Sequence, residues 1–117
     1  MNRGEIWMIN LDPTIGAEIR KTRPALIINN NDIGVLPLKI IVPITDYKQQ
    51  YEIAPWMIKI IPNQTNGLSK ISSIDTLQIR SVSVDRFVRK IGNIDLIIFP
   101  KIEKALIQIL DIKTIIL

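Results

Sequence analysis

Residues 18–30 read Glu-Ile-Arg-Lys-Thr-Arg-Pro-Ala-Leu-Ile-Ile-Asn-Asn, so a charged segment passes directly into an apolar one. The run from Ala25 to Ile28 predicts a buried strand, because β-branched residues favour strands. Pro24 fits the first position of that strand, since it has no N–H to give to a ladder, and it favours an extended Arg23. Arg23 is therefore expected where a rigid strand meets a loop, a place at which functional sites are often built.

The composition favours one β-rich domain with an anionic partner. The chain has 117 residues, of which 47% are hydrophobic, enough for a single core. It contains no cysteine and no histidine, which excludes disulfides, thiolate metal sites and histidine-based catalysis. The net charge of +4 and the pI of about 9.6 favour nucleic acid or an acidic protein as partner, although many domains of this charge bind neither. We expect no signal peptide, no membrane span and a cytoplasmic location.

Further apolar runs predict about six short strands separated by turn-forming segments. The predicted strands are residues 5–11, 24–30, 39–45, 51–61, 71–80 and 88–94. Pro43 indicates a sheet edge or a bulge in the third strand. Residues 84–87 predict a short helical turn.

The C-terminal segment has the periodicity of a helix. Its apolar residues recur at spacings of three and four: Ile102, Ala105, Leu106, Ile109 and Leu110. Pro100 is tolerated only in a first turn, so the helix should begin near residues 98–100. The whole pattern predicts a single domain over 1–117, a small antiparallel barrel followed by one helix. Its surplus apolar surface, including the tail 114–117, predicts burial in a homodimer.

Three motifs carry a resemblance to a known family. The first covers residues 3–7, 11–18 and 22–30, the second is Val42-Pro43-Ile44-Thr45, and the third runs from Ser72 through 78–87. No motif is specific alone, but their order over 3–110 resembles the MazF (PemK-like) toxin family. The resemblance implies an SH3-like barrel that forms a homodimer and acts as a sequence-specific, metal-independent endoribonuclease without a cofactor. It also implies the toxin half of a type II toxin–antitoxin pair, whose acidic antitoxin covers the groove for single-stranded RNA.

The resemblance assigns catalysis to Arg23 and Thr45. A guanidinium matches two phosphate oxygens, and a threonine hydroxyl would donate to phosphate or position the RNA 2′-hydroxyl. The pKa of arginine, above about 12, leaves open whether Arg23 acts as acid, base or electrostatic stabiliser. From the residues alone, a surface Arg23 paired with Glu18 or Asp46, and an ordinary strand-end Thr45, remain alternatives.

Five supporting or substrate-binding positions are also predicted, Lys21 from its charge and the others from the resemblance: Glu18, Lys21, Thr22, Ser72 and Gln78. Glu18 would orient Arg23 or would only be solvated. Thr22 stands where many relatives have histidine, which removes a candidate proton carrier. Gln78 would contact a base edge, or would be a satisfied strand amide. Lys21 would line a phosphate-binding groove with Arg20, Lys39 and Lys48, although a solvated surface charge is the alternative for each.

Two other functions stay open at this level. One is a non-catalytic toxin of the same fold that inhibits a protein target such as a topoisomerase, which predicts growth arrest without RNA cleavage. The other is a basic RNA-binding barrel without toxicity, which predicts salt-dependent binding that leaves RNA intact.

Overall fold

Antiparallel pairing of apolar segments builds a seven-stranded sheet in residues 1–113, the part of the chain that the computed structural model describes. The strands are β1 (Glu5–Asn10), β2 (Thr22–Ile27), β3 (Leu38–Asp46), β4 (Met57–Ile60), β5 (Ser72–Asp75), β6 (Arg80–Ser83) and β7 (Phe87–Asn93), and helix α1 covers Phe99–Ile109. A mainly β fold with a C-terminal helix is thus confirmed. The predicted apolar tail at 114–117 lies outside the described residues.

Strand β3 is the centre of the sheet because it pairs with three others. It faces β2 through Ile41–Pro43 on one edge; on the other edge it faces β6 through Leu38–Ile41 and β5 through Ile44–Asp46. The strand order is β4-β5-β3-β2-β1-β7, with β6 beside β3. Within residues 1–113 the outer strands β4 and β7 do not pair, so the sheet does not close into the expected six-stranded barrel.

The seventh strand arises because the segment predicted as one strand over 71–80 is interrupted. The Asp75 carboxylate accepts from the Leu77 N–H at 3.1 Å, and the Thr76 hydroxyl donates to the Trp56 carbonyl at 2.6 Å. These bonds stabilise a 3-10 turn over Thr76–Gln78 between β5 and β6. The segment 51–61 is also shorter than expected as a strand, because its first part belongs to a 3-10 turn. The predicted helical turn near residue 84 is present at Val84–Arg86.

Two prolines occupy positions that differ from the predictions. Pro24 is the third residue of β2, and it is tolerated because the ladder to β3 begins only at Ala25. Pro43 lies inside the central strand β3 and not in an edge strand, but the ladder is locally interrupted on one side of it. It is tolerated because the β6 ladder ends at Ile41 and the β5 ladder begins at Ile44, which leaves Pro43 without a partner on that side.

The continuous apolar runs are explained by burial on both faces of the sheet. In β2 and the residue after it, Leu26 and Ile28 pack into one core, while Ala25 and Ile27 pack into a second core on the other face.

Helix α1 covers the first core with Phe99 and Ile102, and Ala105 is also buried. The predicted face is confirmed at Ile102, Ala105 and the partly buried Leu106. Leu110, at the end of that face, is exposed. Among the described residues, no helix has the length and hydrophobicity that a membrane crossing needs.

Candidate active site

A cleft of about 510 Å³ opens between the start of β2 and the end of β3, and we call it the first cleft. Arg23 is the second residue of β2, and Thr45 is the penultimate residue of β3. Ala25 faces Pro43 in the ladder between these strands, so the same register continued by two residues brings Arg23 opposite Thr45. The two predicted catalytic residues therefore line the same cleft.

The first cleft is strongly cationic. Its charged lining consists of Arg23, Lys70, Arg89, Lys90 and the carboxylate of Asp46. Strand β7 supplies the arginine and lysine of residues 89–90, because β1 pairs Met8 with Arg89 and Trp7 with Lys90. This density of positive charge suits a nucleic-acid backbone or another polyanion.

Most of these cations were missed by the sequence analysis. The predicted groove cations do not line this cleft: Arg20, Lys21, Lys39 and Lys48. They also do not line the cavity that holds Glu18 and Gln78. The relevant signal was an Arg-Lys pair within the last predicted strand. Without knowledge of the pairing between β1 and β7, that signal could not be placed beside residue 23.

Arg23 has hydrogen-bonding capacity to spare. Its Nε donates to the Arg20 carbonyl at 3.3 Å, a long bond, and the side chain is half-buried. Within residues 1–113 its guanidinium has no carboxylate partner within 4.0 Å, so the alternative of a surface ion pair with Glu18 or Asp46 is not what the structure contains. The fork is available to an oxyanion in the cleft.

The hydroxyl groups of the first cleft differ in their engagement. Thr45 is half-buried, and its hydroxyl makes no hydrogen bond to another described residue. Ser72 is buried, and its hydroxyl donates to the Lys70 carbonyl at 2.9 Å, which shapes the turn that carries Lys70. Thr22 lies exposed at the rim. Among the described residues, Thr45, Thr22 and the exposed Ser69 could therefore give a hydroxyl to a ligand in this cleft without breaking a hydrogen bond.

Asp46 is held by an ion pair inside the first cleft. Lys70 Nζ lies 2.9 Å from Asp46 Oδ1. The hydrogen bond from Lys70, its charge and the nearby charges of Arg23 and Lys48 together hold the pKa of Asp46 below its usual range. The carboxylate is therefore ionised at neutral pH. In residues 1–113, no group of three or more acidic, histidine or cysteine side chains is close enough to hold a metal ion.

The wall of the first cleft is built by close backbone packing. Gly67 has a φ of +68°, and a Cβ there would lie 1.9 Å from the Ile91 carbonyl oxygen of β7. The preceding Asn66 is buried, and its side chain accepts from the Asn63 N–H at 3.1 Å and donates to the Ile61 carbonyl at 2.9 Å. This turn packs directly against the backbone of β7, the strand that carries Arg89 and Lys90.

Glu18 and Gln78 line a different cavity of about 530 Å³, which we call the second cleft. Gln78 Oε1 accepts from the Ile19 N–H at 2.6 Å, and its Nε2 donates to Asp75 Oδ2 at 3.1 Å and the Ala17 carbonyl at 3.4 Å. Glu18 Oε1 accepts from the Ile15 N–H at 2.7 Å. Glu18 therefore does not contact Arg23, and Gln78 matches the alternative of a satisfied amide.

Lys21 explains why the predicted residues separate into two cavities. It adopts the left-handed conformation with a φ of 70°, an uncommon state for a residue other than glycine. Its N–H donates to Asp12 Oδ1 at 3.1 Å, and its carbonyl accepts from the Leu11 N–H at 2.9 Å. These two bonds join the two ends of the segment between β1 and β2. The bond from the Ile19 N–H to Gln78 then places Glu18 beside the second cleft.

Comparisons with known proteins agree over nearly the whole chain. Residues 2–110 match a family model described as PemK-like, MazF-like toxin of type II toxin–antitoxin system. Endoribonuclease EndoA of Bacillus subtilis is 32% identical over 108 residues, covering 91% of this chain and 90% of the relative. Endoribonuclease MazF9 of Mycobacterium tuberculosis is 29% identical over 118 residues, covering 96% of this chain and 98% of the relative.

Solved structures share the fold at lower identity. A crystal structure of MazF from Deinococcus radiodurans superposes with a TM-score of 0.78 at 20% identity, covering 96% of this chain and 97% of that one. An endoribonuclease in complex with its cognate antitoxin, from a mycobacterial species, gives a TM-score of 0.76 at 18% identity, covering 98% and 99%. The overall fold of this chain is thus shared with other proteins.

Proposed function

Because this chain belongs to the PemK-like, MazF-like toxin family of type II toxin–antitoxin systems, we propose that it is an endoribonuclease that cuts single-stranded RNA in the first cleft. The observation that carries the proposal is the position of Arg23 and Thr45 on one cleft, both with unused donors, beside three further cations. The names of its relatives support RNA cleavage over inhibition of a protein target such as a topoisomerase.

In the proposed reaction the RNA supplies its own nucleophile. The 2′-oxygen attacks the adjacent phosphorus, and the bond from phosphorus to the 5′-oxygen breaks, giving a 2′,3′-cyclic phosphate and a 5′-hydroxyl. The 2′-hydroxyl loses one proton and the departing oxygen gains one, and the proposed scheme includes neither a metal nor a cofactor. Arg23 donates two hydrogen bonds to the non-bridging oxygens of the dianionic phosphorane, and Thr45 donates a third or positions the 2′-hydroxyl.

The other cations of the first cleft would bind the flanking phosphates. Lys70, Arg89 and Lys90 add positive charge without an evident role in the bond changes, so they should affect RNA affinity and its salt dependence. An acidic antitoxin segment would find the same surface complementary. The solved complex of a mycobacterial endoribonuclease with its cognate antitoxin supports such a partner for this chain.

We also infer a homodimer that works in the cytoplasm. The segment between β2 and β3 exposes the apolar side chains of Ile33, Val35 and Leu36 to 71%, 100% and 67%. A cluster of this kind is typical of a surface covered by another molecule. Sedimentation equilibrium of the wild type and of a Val35→Asp variant tests the dimer; a monomeric wild type would contradict it.

Cleavage of a mixed-sequence RNA in EDTA tests the proposed function. We expect discrete cuts, whose fragments carry 2′,3′-cyclic phosphate and 5′-hydroxyl ends by mass spectrometry. Arg23→Ala should lower the single-turnover rate by about 10²–10³, because an oriented donor to the developing charge is lost. Lys104→Ala is the matched control, since it also removes one positive charge but lies exposed on α1 and lines neither cleft. Absence of cuts, or cuts unchanged in Arg23→Ala, would overturn the proposal.

A further inference from the structure

The proposed reaction leaves the proton of the 2′-hydroxyl without an assigned acceptor. The chain has no histidine, and the arginine and lysine side chains of the first cleft offer hydrogen-bond donors but no acceptor atom. Among the described residues that line this cleft, Asp46 is the one carboxylate. A carboxylate is a competent general base when it lies within hydrogen-bond reach of the proton it takes.

We propose that Asp46 is the general base that takes the proton from the RNA 2′-hydroxyl, an inference that rests on the proposed endoribonuclease function. In this step the 2′-oxygen-to-hydrogen bond breaks and the proton passes to an Asp46 carboxylate oxygen. The 2′-oxygen bonds to phosphorus, and the 5′-oxygen leaves and takes a proton from water. Asp46 then releases its proton to water, which restores the ionised carboxylate.

The position of Asp46 suits this step. It is the last residue of β3, directly after Thr45, and it faces Ser72 of β5 across the ladder. A phosphodiester held by Arg23 and the Thr45 hydroxyl lies in the cleft that the Asp46 carboxylate also lines. The 2′-hydroxyl is part of the ribose attached to that phosphate. Side chains of consecutive strand residues normally point to opposite faces, but Thr45 and Asp46 stand at the end of β3 and both line the first cleft.

The charges around Asp46 lower its pKa and keep the carboxylate ionised, so it is unprotonated before the reaction. Arg89 and Lys90 of β7 line the same cleft. The charges that act on the carboxylate come from the segment before β5, from β2 and from the segment after β3: Lys70, Arg23 and Lys48. In the free protein these cations favour the ionised form. When RNA binds, its phosphates compete for Lys70 and Arg23 and add negative charge nearby, and both changes raise the pKa of the carboxylate. Substrate binding therefore makes Asp46 a stronger base.

The effect of removing Asp46 on the cleavage rate has opposite signs for a general base and for a carboxylate with no role in the reaction. Asp46 places a negative charge in a cleft that must bind a phosphate, so a bystander carboxylate would weaken RNA binding. Its removal would then leave cleavage unchanged or make it faster. A general base instead predicts that its removal slows the chemical step about 10²–10⁴-fold. The sign of the change separates the two roles.

Single-turnover cleavage by Asp46→Asn tests the assignment. We expect a loss of about 100-fold or more, with a partial recovery in Asp46→Glu, which restores a carboxylate at a slightly different distance. Asp85→Asn is the matched control, because it makes the same chemical change at an exposed carboxylate that lines neither cleft. Thermal unfolding of each variant shows that the fold is retained.

The pH dependence of kcat/KM provides a second, independent readout. We expect an acid limb that reports ionisation of Asp46 in the free protein and is absent from Asp46→Asn. Lys70→Ala should move that limb to higher pH, since the loss of the cation 2.9 Å away raises the pKa of the carboxylate. An acid limb that keeps its position in both variants would overturn the assignment.

The two proposals fail in distinguishable ways. If the wild type cuts RNA, Arg23→Ala does not, and Asp46→Asn cuts at least as fast as the wild type, then Asp46 is not the base while the proposed function stands. If the wild type makes no cuts, both proposals are overturned.

A model substrate separates a base from an acid. A ribonucleotide 3′-phosphodiester with a p-nitrophenol leaving group needs no proton on the leaving group. If Asp46→Asn still cleaves this substrate slowly, the result supports the role of Asp46 as the base. Full recovery of the rate would contradict that role.

Discussion

The two clefts have nearly the same volume, about 510 and 530 Å³, but they use their polar groups differently. In the first cleft Arg23 makes one long hydrogen bond and the Thr45 hydroxyl makes none to the described residues. In the second, both ends of the Gln78 amide are bonded, and the Glu18 carboxylate caps a nearby N–H. The second cleft also holds an arginine, Arg80, which donates to a backbone carbonyl at 3.2 Å, but Glu18 balances its charge. The excess of cations over carboxylates, together with the unbonded Thr45 hydroxyl, rather than volume, distinguishes the cavity suited to an anionic ligand.

This difference has a physical basis. A polar group bonded within the protein must give up that bond to bind a ligand, and a group left unpaired in a buried place costs about 1–3 kcal/mol. A half-exposed donor such as the Arg23 fork is solvated by water until a phosphate replaces that water. Each prediction below tests whether the two clefts divide catalysis and stability in this way.

The largest effect is expected from Thr45→Val, which removes the hydroxyl but keeps the side-chain shape. The single-turnover cleavage rate should fall by the equivalent of about 3–4 kcal/mol in the barrier, while thermal unfolding changes little, because the hydroxyl has no partner within the described chain. Thr45→Ser should recover much of the rate. A fully active Thr45→Val would remove this residue from the site.

Gly67→Ala should destabilise the wall of the first cleft by about 3 kcal/mol. The added Cβ would lie 1.9 Å from the Ile91 carbonyl oxygen and would also force alanine into a left-handed conformation. Gly16→Ala is the control, since Gly16 has a φ of +59° but open space around it, and it should cost about 1 kcal/mol. Equal losses in urea unfolding would contradict the packing argument.

Gln78→Ala should lower the free energy of unfolding by about 2 kcal/mol, because the Ile19 N–H loses its acceptor. The rate of the chemical step should remain near the wild-type value. Chemical denaturation and single-turnover cleavage of the same preparation measure both quantities. If Gln78→Ala lost as much cleavage rate as Thr45→Val while keeping its stability, the division between the clefts would fail.

The smallest effect concerns the pH dependence of stability through Asp75, beside the second cleft. Burial raises the pKa of this carboxyl, partly offset by hydrogen bonds from Leu77 and Gln78. Between the unfolded pKa of about 3.9 and the raised folded value, the folded state holds more protons, so stability falls as pH rises. Asp75→Asn does not titrate. Urea unfolding should therefore show the wild type losing stability relative to Asp75→Asn as pH rises through that window, and a relative gain would contradict the assignment.

The fold was largely predictable because periodicity reports burial directly. Runs such as Ala25–Ile28 indicate a strand with both faces covered, and the spacing of Ile102, Ala105 and Leu106 indicates the buried face of α1. The division of residues 71–80 into two strands was not predictable, since it depends on the carboxylate of Asp75 accepting a local N–H.

The candidate site was predictable only in part, because some of its residues meet only through strand pairing that the sequence does not reveal. Arg23 lies at the start of β2 and Thr45 at the end of the neighbouring β3. The order of the motifs was therefore enough to predict that the two residues share a site. Arg89 reaches the cleft only through the pairing of β7 with β1, a contact between residues about 80 positions apart. Glu18 was misplaced because its loop is closed by a left-handed Lys21, a conformation that nothing in the local sequence indicates.

A crystal structure of the protein with an RNA strand whose scissile nucleotide lacks its 2′-hydroxyl would test the central claim most directly. Such a strand cannot supply the nucleophile, so it should bind intact. We expect one phosphate within hydrogen-bond distance of both the Arg23 guanidinium and the Thr45 hydroxyl, with flanking phosphates near Lys70 and Arg89. A phosphate bound in the second cleft, or one that contacts neither Arg23 nor Thr45, would contradict the account.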